Sequence, residues 1–377
     1  MVMTIPPLPQ GVKSGVGGMI GRQVLVGLGS AGTDLFRLDL DAVTAGWQAC
    51  APLPAPAREG AAFAMAGGML VVISGAGKET PDAASPVVLS DLHIYDSARD
   101  QWRRGADAPV GLLGASAFAV DADTVAVVGG YNKPLFDAFV AELALIDGAA
   151  DPARLRAHMV GYMGMQPQEY RWNDRIWLYS LSRDAWTEVG AKRGLPTTGA
   201  AVLPDGDAVL LVNGEVKPGL RSADILRLTC GAGGLVWEDS APLPPVAGAD
   251  AAEGLAGALA GYAGDMALIA GGVNFPGARA RAASGQWYAH DGLTKTWRAE
   301  VYARINGAWQ IAGHLPRGLS HGIAVSVGDS LLLIGGEDQA MQAQTATVVL
   351  TWDHGSGRLV VTGEQGGTGA HGGEGAV

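Results

Sequence analysis

Cysteine is almost absent from this chain: Cys50 and Cys230 stand alone and far apart. They make no metal-spaced cluster and prove no disulfide, so the redox compartment stays open. Charged residues are few, at 17% against 48% hydrophobic. That balance excludes general disorder and allows a large core. The charge present is acidic, −11 net. With no basic stripe to offset it, such a surface repels phosphate backbones and excludes a nucleic-acid partner. No window of about 18 uninterrupted apolar residues exists, so no membrane span is expected. The seven histidines are scattered, with no His-x-x-x-His or carboxylate cluster at ligand spacing. No metal and no cofactor are therefore expected. A Gly-x-Ser-x-Gly hydrolase elbow and the Ser-x-Asp-x-Gly-x-x-Trp boxes of propeller sialidases are also missing.

What the chain has in excess is glycine, 57 residues of it, recurring beside short apolar runs. One pattern returns six times: an apolar strand ending at glycine, a variable loop, a second strand, then in most copies a Trp. The glycine-terminated strands are Val24–Gly29, Leu70–Gly75, Val125–Gly130, Val209–Gly214, Ala267–Gly272 and Leu331–Gly336. Where nothing is inserted the spacing is about 50–60 residues, close to the period of kelch repeats. Each copy is a small antiparallel sheet that cannot bury both faces alone, and six packed radially bury one another. The fold expected is all-β, a six-bladed kelch-type β-propeller over residues 1–362. The Trp residues should fill gaps between blades, and Ile5-Pro6-Pro7-Leu8-Pro9, which echoes Ala51-Pro52-Leu53-Pro54, should close the ring against copy six. Insertions at about 137–173 and 273–299 should carry short helices in blades three and five. Residues 363–377, glycine-rich and polar, read as a disordered tail.

Gly27-Leu28-Gly29-Ser30-Ala31-Gly32 matches a dinucleotide-binding pattern, but Leu35–Leu40 alternates at strand period where that site needs a helix. It reads as a blade turn. The stretch Asn213-Gly214-Glu215-Val216-Lys217-Pro218-Gly219-Leu220-Arg221 is more informative. Pro218 and Gly219 suit the centre of a type II turn from Lys217 to Leu220. That turn sets Glu215 against Arg221 at the mouth of a hairpin, an acid and a fixed cation able to handle a small anionic molecule. Glu337 also follows a glycine pair, so position alone does not single out Glu215. Arg58 sits where kelch blades often aim an arginine at the central channel; a structural bond to loop carbonyls explains it equally well.

These residues resemble the bacterial N-acetylneuraminate epimerases, or sialic acid mutarotases, which are six-bladed kelch propellers. The matching pieces are Lys13-Ser14-Gly15, Gly27–Thr33, Ala157-His158, Asn213–Arg221 and Tyr288-Ala289-His290-Asp291-Gly292-Leu293. The resemblance implies a cofactor-free isomerase that interconverts the α and β anomers of N-acetylneuraminate. Glu215 and Arg221 are the implied catalytic pair. Arg58, Arg279, Asn213, His158, Tyr288 and His290 are the implied substrate-binding residues, the partner is a small acidic sugar, and a homodimer stays open. The chain departs from the family at Leu319-Ser320-His321-Gly322, where an Arg-x-Tyr-Gly segment is usual. Another acidic sugar as substrate, or a glycan- or protein-binding module without chemistry, are the competing readings. The start lacks a charged segment followed by an apolar one. The chain is thus cytoplasmic as written or a processed form, while the resemblance implies the periplasm.

Overall fold

A computed structural model of the chain describes residues 4–231 and 234–363. From 364 onward the glycine-rich end lies outside the described residues. Six four-stranded antiparallel sheets follow one another, each with its strands in chain order. Blade one comprises Val16–Ile20, Gln23–Gly27, Leu35–Asp39 and Gln48–Ala49. The other five open at Ala62, Ser116, Ala201, Leu259 and Ile323. The six-copy reading of the sequence and the six sheets coincide.

The second strand of each blade is sealed on both faces, and Leu70, Val71, Val72 and Ile73 show how completely: none is accessible. This is why these strands read as unbroken apolar runs rather than alternating ones. The core is divided into six wedges, one at each blade interface, and the wedge between blades six and one includes Leu8 and Val12. Fully burying one such side chain is worth roughly 1.5–3 kcal/mol, so each wedge holds its two blades firmly.

The tryptophans stitch neighbours together. Trp102 Nε1 donates to the Ala51 carbonyl and Trp186 Nε1 to Ala106, each in the link from the preceding blade. Trp47 Nε1 donates to the Pro6 carbonyl in the same manner. Ile5–Pro9 thus takes the place of an inter-blade link, as its echo of Ala51–Pro54 predicts. Leu8 and Val12 then bond to the carbonyls of Thr345 and Gln344, closing the ring on blade six.

Two residues before the first strand of every blade stands a residue of positive φ: Ser14, Gly60, Gly114, Gly199, Gly257 and His321. Each donates its backbone N–H to the carbonyl of its counterpart in the preceding blade, and Ser14 donates to His321. Six bonds of 2.8–2.9 Å therefore form a closed hoop about the axis. Left-handed backbone is cheap for glycine and costs about 1–2 kcal/mol for other residues, which explains four of the six identities.

The loops between second and third strands all leave at the hoop end. In blade three that loop holds α1, Lys133–Ala144, and α2, Pro152–Met163; in blade five it holds α3, Ala278–Ala283. Helix α1 begins ahead of residue 137 because the Asn132 side chain caps the Leu135 N–H at 3.0 Å. Gly29–Ala31 is a short 3-10 turn leading into strand, so no dinucleotide helix exists there.

Candidate active site

The site is assembled on the blade-four loop. Glu215–Lys217 pairs with Leu220–Arg221, and Gly219 at φ 79° supplies the turn that Pro218-Gly219 predicts. Glu215 and Arg221 are direct cross-strand partners, and Arg221 Nη2 lies 2.8 Å from Glu215 Oε1. The Glu215 backbone exchanges two hydrogen bonds with Thr198, just before the hoop, so the carboxylate is anchored at the channel mouth. Arg221 is buried, with Nε donating to the Val273 carbonyl at 3.2 Å and its guanidinium 5.0 Å from the Phe275 ring centroid. Its Nη1 is buried and has no hydrogen-bond partner among the described residues. The Glu215 carboxylate keeps a window to solvent, 16% of its side chain.

Tyr131 approaches from blade three, its hydroxyl 3.5 Å from Glu215 Oε2. Burial first, and then the charge of Glu215, push its phenol well above the usual value, so it stays protonated and donates. The Gly219 N–H points at Glu215 Oε1 from 3.4 Å. The result is a carboxylate surrounded by donors, one of them a cation fixed from behind. Such a group takes and returns a proton without moving its neighbours.

Lys217 explains why a lysine stands inside the hairpin. It is fully buried, and its Nζ donates to the Met163 carbonyl at 2.5 Å and to the Trp287 carbonyl. One ammonium therefore ties the hairpin to both insertions. Burial pulls its pKa down to about 8. Lys217→Met should leave two carbonyls unpaired, at a cost of about 2 kcal/mol. Limited proteolysis within 152–163 and 278–291 is expected to accelerate while the propeller still melts cooperatively. An unchanged cleavage rate would show that Lys217 does not hold the insertions.

The other implied binding residues divide. His290 is packed against the hairpin turn: a Cβ on Gly219 would sit 1.8 Å from its Nδ1. Burial, then Lys217 and Arg221, push its pKa down to about 4, so the ring is neutral near pH 7. Tyr288 stands edge-on to His290 at 5.0 Å and under Arg156 at 5.1 Å. His290 thus covers the hairpin turn, while Tyr288 packs on Phe139, Val140 and Met163 of the blade-three insertion.

Four residues take places other than those implied. Arg58 is a correction: its guanidinium is fully buried and grips Asp91 with two bonds of 2.6 and 2.9 Å. It also donates to the carbonyls of Ser74 and Pro56, so no donor faces the channel. Asn213 is a backbone residue, left-handed at φ 55°, with its Nδ2 donating to the Asp224 carbonyl across the base of the loop. His158 is spent between α1 and α2, stacked on Phe139 at 4.8 Å and bonded to the Phe139 carbonyl at 2.9 Å. Arg279 is exposed and donates to the Ala252 carbonyl. It lines a cleft of about 450 Å3 whose walls include Lys192, Asn213 and Arg221 but not Glu215.

Tyr131 escaped the sequence reading, yet it had a signal. It follows Gly129-Gly130, the register at which Glu215 follows Gly214 and Glu337 follows Gly336. Among the described residues no group of three His, Cys, Asp or Glu is placed to hold a metal ion.

The same construction is found in known proteins. The model of the N-acetylneuraminate epimerase family matches residues 5–359. The N-acetylneuraminate epimerase of Brucella melitensis biotype 1 is 44% identical over 350 residues, covering 92% of this chain and 90% of that one. That of Vibrio vulnificus is 40% identical over 341 residues, covering 90% and 88%. A solved structure described as "Structure of YjhT" superposes with a TM-score of 0.87 at 31% identity, covering 95% of this chain and 99% of that chain. With a family match over nearly its whole length and relatives this similar, the chain belongs to the N-acetylneuraminate epimerase family.

Proposed function

We propose that this isomerase interconverts the α and β anomers of N-acetylneuraminate, with Glu215 as the proton carrier. The observation that carries this reading is the Glu215–Arg221 couple, held at 2.8 Å at the channel mouth with a protonated Tyr131 beside it. Anomer exchange opens a cyclic hemiketal and recloses it on the other face. Glu215 takes the proton of the anomeric hydroxyl as the bond from the anomeric carbon to the ring oxygen breaks. The same carboxyl returns that proton to the ring oxygen, giving an open-chain ketone. After rotation about the bond beside the carbonyl, the steps reverse. Atoms and charge balance within the sugar and one carboxyl group, so no cofactor is called for.

Arg221 orients Glu215, and its fixed guanidinium charge, 2.8 Å from that carboxylate, is placed to stabilise developing oxyanion charge beside it. The periplasm is proposed as the location from the family resemblance, and osmotic-shock fractionation tests it.

Proton NMR of α-N-acetylneuraminate freshly released by a sialidase resolves the two anomers. Approach to equilibrium should be faster with the protein than the spontaneous rate. No acceleration by folded protein would overturn the reading, and acceleration with a different acidic sugar would reassign the substrate.

A further inference from the structure

The mouth carries a second carboxylate that the mechanism above does not use. Glu337 of blade six exchanges backbone hydrogen bonds with Ser320, as Glu215 does with Thr198. It is therefore the counterpart of Glu215 two blades further round the hoop, directed at the same opening. Its surroundings differ. Lys13 Nζ lies 2.9 Å from Oε2, while Lys295 Nζ at 3.3 Å and Trp297 Nε1 at 3.1 Å share Oε1. Lys295 also lies over the Trp297 ring, 4.4 Å from its centroid. Burial alone would raise the Glu337 pKa, but Lys295 and Lys13 outweigh it and hold the group below the usual range.

A carboxylate pinned by two ammonium groups and an indole is a fixed anion, ill suited to carry protons. It is well suited to accept hydrogen bonds. An ionised carboxyl offers about four lone-pair positions, and an ammonium offers three donors. Three acceptor positions on Glu337 are filled, which leaves one on Oε2. Lys13 spends donors on Glu337 and on the Met341 carbonyl, and Lys295 on Glu337 alone. The lysine side chains are 22% and 33% exposed, so a ligand can reach them. A free acceptor beside a free ammonium donor matches a pair of adjacent hydroxyls, one donating and one accepting.

We infer that Glu337, Lys13 and Lys295 form the subsite for the polyhydroxylated side chain of the sugar acid, and so set specificity for the long-chain substrate. The inference rests on the epimerase reading, which places the anomeric carbon at Glu215. The side chain is borne by the ring carbon on the other side of the ring oxygen from the anomeric carbon, so with that oxygen at Glu215 the chain is free to run along the mouth that Glu337 shares.

The test compares N-acetylneuraminate with its seven-carbon analogue, made by periodate cleavage and borohydride reduction of the side chain on the methyl glycoside and then hydrolysis of that glycoside. Exchange rates by NMR give kcat/KM for each with wild type, Glu337→Gln and Lys295→Met. Wild type should prefer the full sugar. In either variant the ratio of the two kcat/KM values should fall about tenfold, the size of one charge-assisted hydrogen bond. A ratio equal to that of wild type in both variants, or no preference in wild type, overturns the inference. A merely structural role would slow both sugars alike and leave the ratio intact.

Binding of the two methyl glycosides, which cannot mutarotate, is read independently by tryptophan fluorescence. If wild type is inert as a catalyst yet binds the full glycoside more tightly, and the variants lose that difference, the subsite stands and the epimerase reading falls.

Discussion

Glu215→Gln is expected to slow anomer exchange by about a hundred- to ten-thousandfold, the usual worth of a positioned acid–base group, leaving the spontaneous rate as a floor. The substitution keeps the shape of the side chain and an acceptor for Arg221, but removes the site that takes and returns the proton. The backbone bonds of Glu215 to Thr198 do not involve the side chain, so the hairpin should survive. The circular dichroism spectrum and a cooperative melt should accordingly be retained. Loss of exchange with the fold intact assigns the proton to Glu215. Exchange at the wild-type rate would move the chemistry elsewhere and leave the hairpin as a binding element.

Arg58→Leu is expected to act on stability. Removing one partner of a buried pair strands the other, at about 3–5 kcal/mol, and here the stranded group is Asp91. Chemical denaturation should show a midpoint well below that of wild type, while exchange per folded molecule stays at the wild-type level. Replacing both Arg58 and Asp91 by leucine should restore much of the loss, because the uncompensated charge is then gone. The pH dependence follows from the direction of the Asp91 shift. Burial alone would raise its pKa, but hydrogen bonds from His93 and Arg58 hold it well below the usual carboxylate range. Its contribution to stability is therefore complete above the unfolded value of about 3.9 and is lost as pH falls below that toward the folded value. The gap between wild type and Arg58→Leu should be full at neutral pH and narrow below about pH 4. A variant as stable as wild type but with weakened sugar binding would return Arg58 to the site.

The blades and the hairpin were legible in the sequence because each is a local pattern. An apolar run ending at glycine and a second strand of the right length recur within one copy, and Pro218-Gly219 sets its own turn. The pairing of Glu215 with Arg221 followed from seven residues of chain. The environment of the arginines was not legible. Asp91 lies 33 residues beyond Arg58 and in another loop of its blade, and nothing periodic connects them. The carbonyls that hold Lys217 are 54 and 70 residues away in opposite directions along the chain. His158 looked like a binding residue because it matches a family piece, but only the packing of α1 on α2 shows that its ring is committed to Phe139. Glu337 is the reverse case. Its position was noticed as an argument against Glu215, whereas in three dimensions that same equivalence brings a second carboxylate to one mouth.

The hoop about the axis bears on how that mouth is charged. A helix concentrates partial charge at its ends because its peptide dipoles point the same way and add. The six hoop bonds instead follow one another head to tail around a closed circuit, so their components across the axis cancel rather than add. The hoop therefore favours no one side of a sugar entering the channel. The potential there is written by the residues immediately flanking the hoop and the loops behind them: Lys13, Tyr131, Glu215, Glu337. Each belongs to a different stretch of chain and is carried by a backbone bond that is indifferent to its side chain. A propeller closed in this way can be repainted one station at a time, a base at one blade and a fixed anion two blades on, without disturbing the ring that holds them.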